Sequence, residues 1–188
     1  MPEGGDLRSK PNKKAKMAIL KAETSSGGGR RILVEGLPPK GTFLATCIEI
    51  EEQHQVERKK FESTETEIVD LIIFYFGFRT KDAQLRIVRS KPMKISGHEK
   101  SALMKFISTW LGEKPKSGFD TAELFGKGAQ LTIAHAESLN GKTYANISSI
   151  SPIMEGLEGN LPKVESFKGL LAPAGDNAVS QSDDEVPF

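Results

Sequence analysis

Apolar and polar positions alternate from Phe43 to Glu51. Leu44, Thr46, Ile48 and Ile50 fall on one face, and Phe43, Ala45, Cys47 and Glu49 on the other, which predicts a strand. Glu52 to Glu67 is polar and predicts a long loop with room for strand extensions. Ile68 to Phe78 is almost wholly β-branched and aromatic, a second strand buried on much of both faces. After a turn at Thr80-Lys81-Asp82, Leu85, Ile87 and Arg89 alternate with Arg86, Val88 and Ser90 in a third strand that runs on towards Ile95. The period then changes. Leu103, Phe106, Ile107, Trp110 and Leu111 share one face of an α-helix, with a Ser96/Glu99 capping box before it and Gly112 at its end. Asp120 and Glu123 have the same box spacing and open a short second helix ending before Gly126. Gly128–Ala136 and Tyr144–Ile150 are two further strands, joined across Asn140-Gly141, a hairpin signal.

Three strands, a helix and a two-stranded hairpin predict a mainly β chain. The order is that of a five-stranded antiparallel OB-fold barrel with a helix between strands three and four. An open α+β sheet is the competing arrangement. The flanks differ in composition. Residues 1–31 mix Lys, Gly, Ser and Pro and predict a flexible basic arm; residues 155–188 predict a disordered acidic tail; residues 32–154 are the domain between these disordered N- and C-terminal tails.

Charge sharpens this division. The 188 residues hold 26 Lys and Arg against 25 Asp and Glu, a net +1 that taken whole argues against a polyanion partner. By segment it is +5 for residues 1–31, +1 for 32–154 and −5 for 155–188. A basic head and an acidic tail suit polyanion binding joined to an acidic interaction segment. Cys47 is the single cysteine, and His54, His98 and His135 lie far apart, so neither a disulfide nor a zinc-ligand set is expected. No apolar run approaches the ~20 residues of a membrane span, and no secretory leader pattern stands at the start; the expectation is a soluble, intracellular protein.

The chain ends Ser182-Asp183-Asp184-Glu185-Val186-Pro187-Phe188. This resembles the C-terminal tip of bacterial single-stranded DNA-binding proteins, with Glu185 and Val186 in place of the commoner Asp and Ile. The resemblance implies that Asp183, Asp184, Glu185, Val186, Pro187 and Phe188 recruit replication, recombination and repair proteins. Independently, a free tip can bury Phe188 in an apolar pocket while its carboxylates meet a basic rim. Gly41-Thr42-Phe43, His98-Glu99-Lys100-Ser101, Phe119-Asp120, Leu124-Phe125-Gly126-Lys127 and Lys142-Thr143-Tyr144-Ala145-Asn146-Ile147 resemble small bacteriophage proteins of the single-stranded-DNA-binding type, over roughly residues 36–153. This implies action in the bacterial cytoplasm, as a cellular or phage-encoded protein. It does not carry over a tetramer.

Non-specific strand binding needs cations along a groove and aromatic faces for bases. Lys59, Lys60 and Phe61 stand in the long loop that frames the ligand face of this fold. Tyr75, Arg79, Arg86, Lys91 and Lys94 lie on or beside strands two and three, with Arg86 favoured over Arg89 because Leu85 and Ile87 take the core face. Lys142 and Tyr144 close the other side from the hairpin. Trp110 is expected in the core, and the isolated His135 to be structural or solvated. There is no phosphate loop, nucleophile elbow or metal set, so neither an enzyme nor a cofactor is expected. The expected function is sequence-nonspecific binding and protection of single-stranded DNA. The alternatives are an adaptor of a replication complex without strong DNA affinity, or an RNA-binding barrel.

Overall fold

A computed structural model describes residues 29–59 and 64–173. One antiparallel sheet contains β1 (Gly41–Lys59), β2 (Thr66–Arg79), β3 (Leu85–Arg89), β4 (Met93–Lys94), β5 (Gly128–Glu137) and β6 (Thr143–Ser151). The order is β3-β2-β1-β5-β6, and β4 pairs with β2 further along the edge that β3 occupies. Helix α1 (Ala102–Leu111) lies in sequence between β4 and β5. The expected third strand is thus two pieces, β3 and β4, separated by Ser90–Pro92.

The polar stretch Glu52–Glu67 is mostly strand rather than loop. Val56 faces Val69 and Arg58 faces Glu67 across the β1–β2 ladder, so cross-strand pairing compensates for weak apolar content. Register shifts at Cys47/Glu49 and Gln53/Val56 let a 19-residue strand bend, and Gln55 takes φ 55° at the second. Beyond the second shift, β1 and β2 form a hairpin arm.

β2 builds two cores because both its faces are apolar. Ile72, Phe74, Phe76 and Phe78 pack against Leu103, Ile107 and Trp110 of α1 and against Leu131 and Ile133 of β5. Trp110 stands edge-on to Phe74 and Phe76 and donates its indole N–H to the Gly128 carbonyl at 2.8 Å. On the opposite, outer face, Ile73 and Tyr75 pack with Ile48, Ile87 and Phe167. The helix is capped by Ser101, whose Oγ accepts from the Met104 N–H at 3.1 Å, rather than by the Ser96/Glu99 box. Gly112 ends it at φ 75°, as its sequence position suggests. The second helix is a single 3-10 turn, Thr121–Leu124, capped by Asp120.

The outer core overturns the expected tail boundary. Residues 155–173 are not a disordered extension. Phe167, in a 3-10 turn at Val164–Phe167, is 3% exposed and lies over Gly77, where an added Cβ would sit 2.6 Å from its ring. The Thr46 hydroxyl donates to the Pro162 carbonyl at 2.6 Å. At the other end, Ile32 bridges Leu171, the Leu33 N–H donates to Leu170 O at 2.8 Å, and the Ala172 N–H to Arg31 O at 2.9 Å. Residues 31–33 and 170–172 therefore pair with each other across the outer face of the sheet.

No ladder joins β3 to β6 among the described residues, so the sheet is open along that line. Ile32, Leu37 and Pro38 line the cleft there together with Ile87, Val88, Tyr144 and Ala145. His135 Nε2 meets the Pro38 carbonyl at 2.7 Å, a structural role. Among the described residues, no helix is long and apolar enough to cross a membrane.

Candidate nucleic-acid interface

Tyr75 was expected among the stacking residues. It lies on the outer face with Ile73, but the chain ends cover that face and Tyr75 is fully buried. Its hydroxyl donates to Glu51 Oε2 at 2.7 Å. The same carboxylate accepts the Arg30 backbone N–H at 2.8 Å and the Gln53 amide at 2.8 Å, while the Arg30 guanidinium pairs with Glu49 at 2.8 Å. Partial burial alone would raise the Glu51 carboxyl, but hydrogen bonds from Tyr75, Gln53 and Arg30 outweigh it and hold the group below its ordinary range. The Tyr75 phenol moves the other way, raised by burial and by the adjacent Glu51. Gly29 passes so close that a Cβ there would meet Arg89 Nη1 at 2.5 Å and the Tyr75 hydroxyl at 2.7 Å. Tyr75 is thus the centre of a latch that ties the N-terminal segment to the sheet.

The face assignment on β3 also changes. Arg86 stands opposite Phe78 and shares its face with Val88, which packs in the main core. Leu85 and Ile87 belong to the outer core, so Arg89, paired with Tyr75, lies on their face. Both faces of β3 bury apolar residues, which alternation alone could not rank. Arg86 bonds the Gln84 side chain at 2.7 Å and its neighbour's carbonyl. Arg79 is exposed at the end of β2.

The remaining candidates fall into two groups. Lys59 ends β1 on the hairpin arm, and Lys91 and Lys94 are exposed on and just before β4, which pairs with the base of that arm. Lys60 and Phe61 lie outside the described residues, as does the tip Asp183–Phe188. Lys94 and Arg58 both bind Glu67, at 3.2 and 2.8 Å, and together hold that carboxyl below its ordinary range. Lys142 is exposed in the β5–β6 connection, and Tyr144 lines the β3–β6 cleft beside Arg89. The fold therefore places Tyr144 beside β3 and withdraws Tyr75, while Lys94 stands opposite Leu71 and Lys59 opposite Thr66, five residues apart along β2.

Sequence reasoning missed the latch residues Arg30, Glu49 and Glu51 and the anchor Phe167. The apolar cluster Phe167, Leu170 and Leu171 inside an otherwise polar segment was the available signal for the anchor. Nothing local marks Arg30, whose partners are 19 and 21 residues away. Cys47 is buried, and burial pushes its thiol up to about 12. Among the described residues, no group of three or more His, Cys, Asp or Glu could hold a metal ion. Neither a family model nor a curated protein matches this chain.

Proposed function

We propose that this chain binds single-stranded DNA with little sequence preference, and that its C-terminal tip recruits partner proteins of replication, recombination and repair. One observation carries the reading: β1 pairs with both β2 and β5, and a helix precedes β5, in a chain that also carries the acidic segment Asp183-Asp184-Glu185-Val186-Pro187-Phe188. That strand order is the one expected of an OB-fold, and we take the sheet as such a barrel with residues 32–38 set into its seam.

The DNA path runs from the hairpin arm, through Lys59, Lys60 and Phe61, past Lys91 and Lys94, to Tyr144 and Lys142. Arg79 and Arg86 flank it. Phe61 and Tyr144 take the stacking role, because Tyr75 is committed to Glu51. Each stacked base contributes about 1–3 kcal/mol, and each phosphate neutralised adds salt dependence.

A second reading has a specific observation in its favour. Arg30, Arg58 and Lys94 are each paired with a carboxylate, which fits an adaptor without DNA affinity. Titration of labelled oligo-dT, oligo-rU and duplex DNA against the full chain at several salt concentrations separates the readings. Tight, salt-dependent binding of oligo-dT over duplex is expected. Stronger binding to oligo-rU points to RNA, and no binding to any of the three leaves the adaptor.

A further inference from the structure

Arg58 and Lys94 reach one carboxylate from the two strands that flank β2. Arg58 faces Glu67 across the β1–β2 ladder and gives Nε and Nη2 to its Oε1, at 2.9 and 2.8 Å. Lys94 faces Leu71 across the β2–β4 ladder, on the same face of β2 as Glu67, and its Nζ donates to Oε2 at 3.2 Å. Each oxygen of Glu67 is thus held by a different cation, and one positive charge of the triad stays uncompensated. The side chains of Arg58, Glu67 and Lys94 are 30%, 24% and 50% exposed, so an anion from solvent can reach both cations. Val69, the next residue on that face of β2, is buried, and this apolar neighbour reduces screening of the charges by water.

We infer that Arg58 and Lys94 form a binding site for one phosphodiester group of the strand, and that Glu67 occupies this site until the strand displaces it. The donor set suits the ligand. Two guanidinium N–H groups and one ammonium, aimed at two oxygens of a single anion, are what two non-bridging phosphate oxygens require. A phosphodiester carries the same single negative charge as the carboxylate, so the exchange leaves the local charge unchanged. Glu67 is the second residue of β2, at the outer part of the arm, and its side chain can turn into water. The apolar neighbour strengthens the hold on either anion alike. Counterion release favours the strand, because a nucleic acid sheds condensed cations on binding and Glu67 does not. The site rests on the DNA reading and adds Arg58 to the path already drawn through Lys94. The pairing of these two cations is then the resting state of a phosphate site, which removes them from the case for an adaptor.

The test titrates the full chain with labelled oligo-dT over a range of salt concentrations. Glu67→Gln keeps the size of the side chain and removes its charge, and it should tighten binding at low salt at least roughly fivefold. Arg58→Ala should weaken binding and lower the salt slope by about 0.7, the value of one phosphate on a single strand. In an Arg58→Ala/Lys94→Ala background the gain from Glu67→Gln should vanish. Glu57→Gln is the control for net charge. Glu57 is exposed on the other face of the arm, opposite Ile68, and its replacement should change affinity by less than about twofold. The phosphate site is overturned if Glu67→Gln leaves affinity unchanged, if Glu57→Gln gives an equal gain, or if the gain persists without Arg58 and Lys94. In each of those cases an unmodified chain that binds oligo-dT keeps the DNA reading. If neither the unmodified chain nor Glu67→Gln binds oligo-dT, the DNA reading fails and the site falls with it.

Discussion

Glu51 shows how one carboxylate can hold a chain terminus. It accepts from Tyr75, Arg30 and Gln53, and its pKa lies below the unfolded value. A depressed carboxyl contributes stability that is present above the unfolded pKa and lost as pH falls through the folded one. Melting temperature should therefore fall as pH drops below the ordinary carboxyl value of 4.5, and by less in Glu51→Gln than in the unmodified chain. Equal pH sensitivity would remove Glu51 from the latch. Gly77 and Phe167 make a second residue-level pair. Phe167→Ala should cost about 3–5 kcal/mol in urea unfolding, the usual range for removing a buried phenylalanine ring. Gly77→Ala should also destabilise, because its Cβ would sit 2.6 Å from that ring. In a Phe167→Ala background most of the Gly77→Ala penalty should vanish, a coupling that a double-mutant cycle reads directly.

At the scale of elements, the segment from Leu161 to Ala172 behaves as a strap. It has no ladder of its own beyond the Ile32–Leu171 bridge, but it supplies Phe167, Leu170 and Leu171 to the outer core. Truncation after Met154 should lower the melting temperature sharply, since Ile73, Ile87 and Ile48 would lose their cover. Truncation after Pro173 should leave it within the ordinary scatter of surface changes, about 0.5 kcal/mol. Thermal melts of the two truncations place the domain's end. Composition suggested an earlier end because Gly, Pro and acidic residues dominate from Glu155 onward. Three apolar side chains in a polar segment are enough when a glycine on the facing strand leaves them a seat.

For the whole molecule, the pairing of residues 31–33 with 170–172 sets the two described flanks of the chain beside each other. On the proposed reading, a C-terminal segment of net −5 should compete weakly with DNA for the cations of the proposed path when no DNA is bound. Truncation after Pro173 should raise oligo-dT affinity at low salt and leave it nearly unchanged at high salt, while abolishing partner capture. Equal affinity at low salt would remove the competition. Replacing Tyr144 by Ala should weaken oligo-dT by about 1–3 kcal/mol without changing the salt slope. Replacing Lys142 by Ala should lower that slope. A Tyr144 variant with full affinity would move the stacking surface elsewhere.

Much of the architecture was legible in local pattern. Period-two runs marked the first part of β1, β3 and β5, a continuous β-branched and aromatic run marked β2, and the Asn140-Gly141 hairpin signal marked β6. The spacing Leu103, Phe106, Ile107, Trp110 marked α1, and Gly112 marked its end, because backbone periodicity and steric limits act within a few residues. The candidate cations and aromatics were equally visible as residue types. Their assignment was not. Whether Tyr75 stacks on a ligand or anchors a terminus depends on Arg30 and Glu51, which are 45 and 24 residues away from it in sequence. Which side of β3 Arg86 shares depends on two apolar cores that alternation renders equivalent. The strap, the latch and the open seam between β3 and β6 are all contacts between distant segments, and their free energy exists only once the chain has closed those loops. The sequence alone therefore determined the cores of the main strands, the helix, and the chemical groups they carry. The tertiary structure alone decided which of those groups remain on the surface.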